Sequence, residues 1–216
     1  MHQIFTRILN LLFPEVCIGC EKAGCLLCEK CISLVPRSSE TEYPFINALF
    51  SYRNPLIREL VWRFKYKNAK RVAQSFGKEL YEGILGEIGD GLSVTKSEYF
   101  LLVPIPLHKK RERARGYNQS GLLCRAIIEY DTEKIFQLET KALVRTQNTK
   151  PQAKSEKRDA RLENLRGAFI ADKTIVKGKH IILIDDVTTT GATFSEARKV
   201  LLKAGAKSVS AWAVGH

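Results

Sequence analysis

His180-Ile-Ile-Leu-Ile-Asp-Asp-Val-Thr-Thr-Thr-Gly-Ala-Thr193 carries the reading of the whole chain. Its opening apolar run does not alternate with polar residues, as expected of a strand buried on both faces of a parallel sheet. The run ends in two adjacent carboxylates, a loop of small residues follows, and Phe194–Ala204 then shows helical spacing. An open α/β sheet builds its ligand sites in this way, at the carboxyl end of a strand. Gly191 permits close backbone approach. N–H groups at the loop and helix start favour a phosphate dianion, aided by the helix dipole. The hydroxyls of Thr189, Thr190 and Thr193 add further donors. Two carboxylates beside a phosphate make electrostatic sense only if they face hydroxyls or a metal, so Asp185 and Asp186 suit a ribose diol with Mg²⁺ nearby. The competing explanation is a strand–turn–helix whose threonines cap the helix and whose aspartates are merely solvated.

Working outward, strand and helix patterns alternate. Ile46–Tyr52, Tyr99–Ile105, Gly167–Ala171 and Ser208–Val214 have strand character, and Ala142–Arg145 starts as a short strand. Leu56–Tyr66, Val72–Leu85 and Asn118–Glu129 read as helices, with Gly86–Ser97 as a loop. Such alternation predicts an α/β fold with a doubly wound, mainly parallel sheet. A second loop is expected after Leu101-Leu-Val-Pro-Ile-Pro-Leu-His108, where Pro104 and Pro106 fix the turn beside Ile105. The basic stretch Lys109–Arg115 and then Gly116-Tyr-Asn-Gln119 lead from it into a helix. Arg145–Arg166 is long, polar and basic, and stands just before the phosphate-loop strand. That placement suits a mobile lid whose cations neutralise a leaving group, although a plain surface loop reads the same way.

Near the N-terminus, Cys17-Ile-Gly-Cys20 and Cys28-Glu-Lys-Cys31 form two C-x₂-C knuckles. Four thiolates at this spacing suit a closed, structural Zn²⁺ site formed by Cys17, Cys20, Cys28 and Cys31. Cys25 is the odd one out and an alternative ligand; Cys124 reads as a small core residue. Clustered rather than dispersed cysteines point to metal binding in a reducing, cytoplasmic compartment. Residues 1–13 are expected to form an amphipathic helix that packs on the protein. The apolar run Ile4–Phe13 is too short to span a bilayer, and no membrane insertion is expected. The division anticipated is 1–40 for helix plus cysteine module and 41–216 for the α/β domain. The chain has 216 residues, and a net charge of +12 suggests a polyanionic partner.

The loop from Asp185 to Thr193 resembles the 5-phosphoribosyl-1-pyrophosphate (PRPP) signature of type I phosphoribosyltransferases: hydrophobic strand, two acids, then Thr-Thr-Gly-x-Thr. The pairing of Val-Pro-Ile-Pro with Arg-Gly-Tyr-Asn-Gln is similar to the ComF family in particular, which also carries an N-terminal zinc ribbon. The resemblance implies a type I phosphoribosyltransferase fold. It implies that Asp185, Asp186, Val187, Thr188, Thr189, Thr190, Gly191, Ala192 and Thr193 bind PRPP, with the two aspartates catalytic and Mg²⁺ beside them. It further places Pro104, Ile105, Pro106, Arg115, Asn118 and Gln119 at the pyrophosphate loop, and Arg145, Gln152, Arg158 and Asn164 on the lid. Leu56–Lys67, with Trp62, Phe64, Lys65 and Tyr66, occupies the place of a hood. The implied activity is phosphoribosyl transfer to an unidentified nucleophile, with a role in natural competence and DNA uptake. Two alternatives stay open: a non-catalytic protein handling single-stranded DNA with competence-machinery partners, and a PRPP sensor. Neither a general base nor a nucleobase pocket is legible.

Overall fold

The computed structural model describes residues 15–39, 41–67, 69–91, 99–147 and 165–216. The expected N-terminal helix over residues 1–13 lies outside them, as do Gln152, Arg158 and Asn164. In chain order the elements are α1 (Glu29–Ser33), β1 (Ile46–Phe50), α2 (Pro55–Tyr66), α3 (Val72–Gly91), β2 (Phe100–Pro104), α4 (Lys109–Arg115), α5 (Gln119–Tyr130), β3 (Phe136–Leu138), β4 (Leu143–Arg145), β5 (Phe169–Ala171), α6 (Lys173–Val176), β6 (His180–Val187), α7 (Ala192–Lys203) and β7 (Ser208–Gly215). Five strands make one sheet in the order β1-β7-β6-β2-β3, and β4 and β5 form a separate antiparallel pair. Every pairing in the large sheet is parallel.

Strand periodicity sorts the core into two layers. On β6, Ile182 and Ile184 join Phe100, Leu102, Trp212 and Val214 in one cluster, packed against α2, α3 and α5. Ile181 and Leu183 join Leu101, Val103, Ala211 and Ala213 in the other, against α7 and the β4–β5 pair. Alternate residues of one strand thus feed opposite faces, which is why the run lacks any polar position until its end. This is the doubly wound α/β arrangement of the type I phosphoribosyltransferase fold.

The first layer also contains Cys17, Leu26, Leu27, Cys28, Ile32 and Val35. The cysteine segment therefore shares one apolar core with α2 and α3. Where α3 crosses α5 the approach is close: a Cβ on Gly77 would lie 2.6 Å from the Ala126 Cβ.

Besides the short helices α1 and α6, which the sequence did not announce, three elements differ from the sequence expectations. The α3 helix runs on to Gly91 instead of ending at Leu85, because Leu85 and Ile88 continue its apolar face onto the core and Gly86 and Gly89 meet nothing that their flexibility would have to relieve. Lys109–Arg115 is a helix, started by the His108 ring, which accepts from the Lys110 N–H at 3.2 Å, and stopped by Gly116 at φ 79°. Phe136–Leu138, a three-residue edge strand, was too short to announce itself.

Topology fixes where a ligand site belongs. From β2 the chain passes outward to β3, then returns across β2 to β6 and moves outward again to β7. The winding reverses between β2 and β6, and the crevice beyond the carboxyl ends of such a strand pair is the natural binding site of a doubly wound sheet.

Candidate functional site

The loop after β6, read from the sequence as a phosphate loop, lies at that crevice. β6 extends through the acid pair, with Asp185 opposite Ala213 and Val187 opposite Gly215, so both carboxylates are set by strand geometry. Thr188 N–H donates to the Gly215 carbonyl at 2.9 Å, tying the loop start to β7. Gly191 takes the N-cap of α7 at φ 69°, and no side chain caps that helix. Threonine capping is therefore not what the threonine run does, and the first N–H groups of α7 face the loop without intrahelical acceptors. The glycine is sterically required as well as conformationally favoured: a Cβ there would lie 2.7 Å from the Tyr43 ring and 2.9 Å from Ile46. A cavity of about 160 Å³ opens on Thr188, Thr189, Thr190 and Gly191.

Nor are the aspartates simply solvated. Asp186 is 6% exposed, and its Oδ1 lies 2.8 Å from Lys65 Nζ on α2. Burial alone would lower the Lys65 pKa, but the Asp186 and Asp185 charges outweigh it and hold the ammonium above its ordinary value. Asp185 Oδ1 accepts from Ser120 Oγ at 2.8 Å and from the Asp186 N–H at 2.9 Å. Desolvation among these groups, then the neighbouring Asp186 charge, pushes the Asp185 carboxyl up to about 7, against the pull of Lys65 and Ser120. The site thus holds an acid pair with the Lys65 ammonium against it. Lys65 lies in the segment read from sequence as a hood; its pairing with Asp186 had no sequence signal, because 121 residues separate the two.

The second loop is laced to the first. Ile105 N–H donates to the Ile184 carbonyl at 2.9 Å, and Asn118 Nδ2 donates to the Ile105 carbonyl at 3.0 Å. Asn118 also caps α5 by accepting from Ser120 N–H at 3.1 Å, which carries Ser120 to Asp185. Gln119 is buried; its Oε1 accepts from Arg115 at 2.9 Å, while its Nε2 has no hydrogen-bond partner among the described residues. An unpaired buried donor of this kind is costly unless a ligand completes it. Pro104, Pro106 and Asn118 line a cleft of about 410 Å³ at the end of β2. Arg145, at the base of the segment read as a lid, is half-buried; desolvation and the nearby Arg111 lower its pKa while Asp185 opposes them. The structure therefore brings the acid pair, the phosphate loop, Ile105, Asn118, Gln119 and Arg115 together around one crevice, with Arg145 at its rim.

The donor set at the acid pair fits Mg²⁺. It is all oxygen, and the mutual repulsion of Asp185 and Asp186 favours any further positive charge. Asp185 and Asp186 would hold that ion.

The cysteine cluster is a separate centre. The Sγ atoms of Cys17, Cys20, Cys28 and Cys31 all lie within 4.8 Å of one another, and those of Cys20 and Cys28 are 3.6 Å apart. Tetrahedral Zn–S bonds of about 2.3 Å place sulfurs about 3.8 Å apart, so the cage has the size of a zinc site. Cys25 is not part of it. The Cys28 N–H points at Cys17 Sγ at 3.4 Å. Burial opposes ionisation of Cys17, yet such amide donors bring its pKa down to about 6. Cys31 is pushed up to about 12, first by the thiol hydrogen bonds it shares with Cys20 and Cys28. The Cys17 thiolate forms readily while that of Cys31 is opposed, a conflict that a central divalent cation removes. The first knuckle closes over Cys31 only because residue 19 is glycine; a Cβ there would lie 2.8 Å from the Cys31 Sγ.

Fold and site together define a phosphoribosyltransferase-type α/β protein, and residues 132–214 match the phosphoribosyl transferase domain family. The chain is 31% identical over 159 residues to the DNA utilization protein YhgH of Escherichia coli, covering 73% of this chain and 66% of that protein. It is 31% identical over 166 residues to the competence protein ComFC of Bacillus subtilis, covering 76% and 61% respectively. Competence protein F of Haemophilus influenzae is 28% identical over 161 residues. The match thus spans about two thirds or less of the length of these relatives. Among solved structures, a hypoxanthine phosphoribosyltransferase from Trypanosoma cruzi aligns with a TM-score of 0.40, 12% identity and 65% coverage of each chain. The chain belongs to the ComF family of phosphoribosyltransferase-fold proteins, and its four-cysteine cluster fits a zinc ribbon. Among the described residues no helix is long and apolar enough to cross a membrane.

Proposed function

We propose that the protein binds PRPP with Mg²⁺ at the β6 loop and transfers the phosphoribosyl group to a nucleophile, within a competence-related role. The observation that carries this reading is the uncapped N-terminus of α7 behind left-handed Gly191, on the loop that follows Asp185 and the buried Asp186. On this reading the loop from Val187 to Thr193 holds the 5-phosphate, and Asp185 and Asp186 accept from the ribose hydroxyls. Gln119 Nε2, Arg115 and Asn118 face the pyrophosphate, and Arg145 approaches it from the rim. When bound, Mg²⁺ supplies charge neutralisation at the departing pyrophosphate. The nucleophile's lone pair bonds to C1 while the C1–O bond breaks, its electrons leaving with pyrophosphate, which also takes up the nucleophile's proton. Holding the ring still between loop and acid pair is the protein's main contribution to rate. Zn²⁺ at the cysteine cluster is structural, and residues 1–40 act as a module serving the domain of 41–216. The test is pyrophosphate release from PRPP in the presence of candidate acceptors. Release that depends on acceptor and vanishes with Asp185→Asn supports transfer; PRPP binding without any release leaves a sensor.

A specific observation favours single-stranded DNA as an additional ligand. Trp62 and Tyr66 on α2 are 44% and 62% exposed, their ring centroids 6.3 Å apart. Lys67 Nζ stands 5.2 Å from the Trp62 ring, and the Arg115 guanidinium 5.4 Å from that of Tyr66. Exposed rings interleaved with cations form a stacking platform for unpaired bases. Replacing both rings by alanine is expected to weaken oligothymidylate binding at least about tenfold, at one to three kcal/mol per stacked base. Unchanged affinity would remove this reading.

A further inference from the structure

On the β7–β1 side of the phosphate loop lies a cleft of about 560 Å³, with Ser38, Ser51, Arg53, Arg58, Thr189 and His216 among its walls. Its size suits a small molecule, since ligand pockets commonly run from about 300 to 1,000 Å³. Among the described residues no aspartate or glutamate side chain lines it, and neither guanidinium has an ion-pair partner. The two arginines flank the start of α2, where Asn54 already satisfies the Leu56 and Ile57 N–H groups, so the helix end itself is spoken for. What remains in the lining is two guanidiniums together with serine hydroxyls, groups that suit phosphate oxygens.

Its position gives it meaning. The cleft shares Thr189 with the loop, and the His216 ring nitrogen Nε2 lies 3.2 Å from the Thr189 carbonyl. The cleft at the end of β2, with Pro104, Pro106 and Asn118, opens on the other side of β6. In a displacement at C1 the nucleophile and the leaving group occupy opposite faces of the sugar. If pyrophosphate lies toward β2, the nucleophile enters from the side of β7 and β1.

We propose that this cleft is the acceptor subsite and that the acceptor is a small molecule bearing a phosphate, gripped by Arg53 and Arg58. The assignment rests on the reading of the β6 loop as the donor site. The covalent change is the one already described, with the acceptor's lone pair replacing the C1–O bond to pyrophosphate.

The test is calorimetric titration of inorganic phosphate into the full chain and two double variants. One is Arg53→Ala with Arg58→Ala, both exposed positions; the other is Thr190→Val with Thr193→Val in the loop. The wild type should bind one phosphate in the cleft and another in the loop, and each double variant should lose its own. The arginine variant should lose its site at least about tenfold, or 1.4 kcal/mol, while PRPP affinity holds within about twofold. Retention of both phosphates by the arginine variant, or a single wild-type site lost only in the loop variant, overturns the proposal. So does an arginine-dependent site that a single-stranded oligonucleotide without terminal phosphate fills in place of free phosphate, since that identifies a nucleic-acid backbone as occupant. Failure of the donor reading shows separately, as absence of PRPP binding in the wild type.

Discussion

Lys65 and Asp186 sit 2.8 Å apart, with the Asp186 side chain 9% exposed and that of Lys65 21% exposed. Removing the ammonium alone strands a buried carboxylate beside a second one. Lys65→Met keeps the stem and is expected to destabilise the ligand-free protein by about 3 kcal/mol. Because the loss is of positive charge, millimolar Mg²⁺ should restore much of the lost thermal stability. Thermal denaturation with and without Mg²⁺ reads both effects; an unaltered midpoint would mean the pair does not form in solution. Asp185 gives a pH signature. Its folded pKa, about 7, lies above its ordinary value near 3.8. The folded state therefore holds the proton more tightly than the unfolded chain, and this contribution to stability fades as pH rises from about 4 through 7. A ribose diol donates to the ionised carboxylate, so PRPP affinity should rise with pH up to about 7, level off above it, and lose that dependence in Asp185→Asn. Affinity titrations between pH 5.5 and 8.5 decide it.

At the level of elements, α2 is the piece that joins the two centres. Its inner face packs Ile57, Leu60, Val61 and Phe64 into the core, the Phe64 carbonyl accepts from the Tyr117 hydroxyl, and the next residue is Lys65. Its other neighbour is the first cysteine knuckle, where Gly19 lies within ordinary contact of Leu56 and is crowded by Cys31. Gly19→Ala must displace Cys31 Sγ and is expected to lower Zn²⁺ occupancy and the melting temperature together. Full occupancy by elemental analysis would refute the crowding. The strands that build the site were legible because burial on both faces leaves unbroken apolar runs at Leu101–Val103 and Ile181–Ile184, and the acid pair and threonine loop were legible because that chemistry is local in sequence. The Lys65–Asp186 pair, the Ser120–Asp185 bond and the cleft that sets Arg53 and Arg58 beside Thr189 and His216 were not, since each joins residues that only the sheet order brings together. Two boundaries misled for a different reason: glycines at 86 and 89 suggested a loop where helix continues, and charge on Lys109–Arg115 hid a helix with no buried face.

Across the whole molecule, cysteine segment and sheet layer share an apolar core, so metal and ligand states should be felt at a distance. Stripping Zn²⁺ with a chelator under reducing conditions is expected to lower the melting temperature by several degrees, as a loss of a few kcal/mol does in a domain of this size. It should also weaken PRPP binding, because α2 loses the knuckle that supports it. An intact affinity in metal-free protein would show the two centres to be energetically independent. The central claim, that the Asp185–Thr193 loop is a PRPP site, meets its most direct test in calorimetric titration of the full chain with PRPP and Mg²⁺, repeated on Asp185→Asn with Asp186→Asn. The account predicts saturable one-to-one binding by the wild type and its loss in the folded double variant. Equal affinity in the two proteins, or no binding by the wild type, would contradict it.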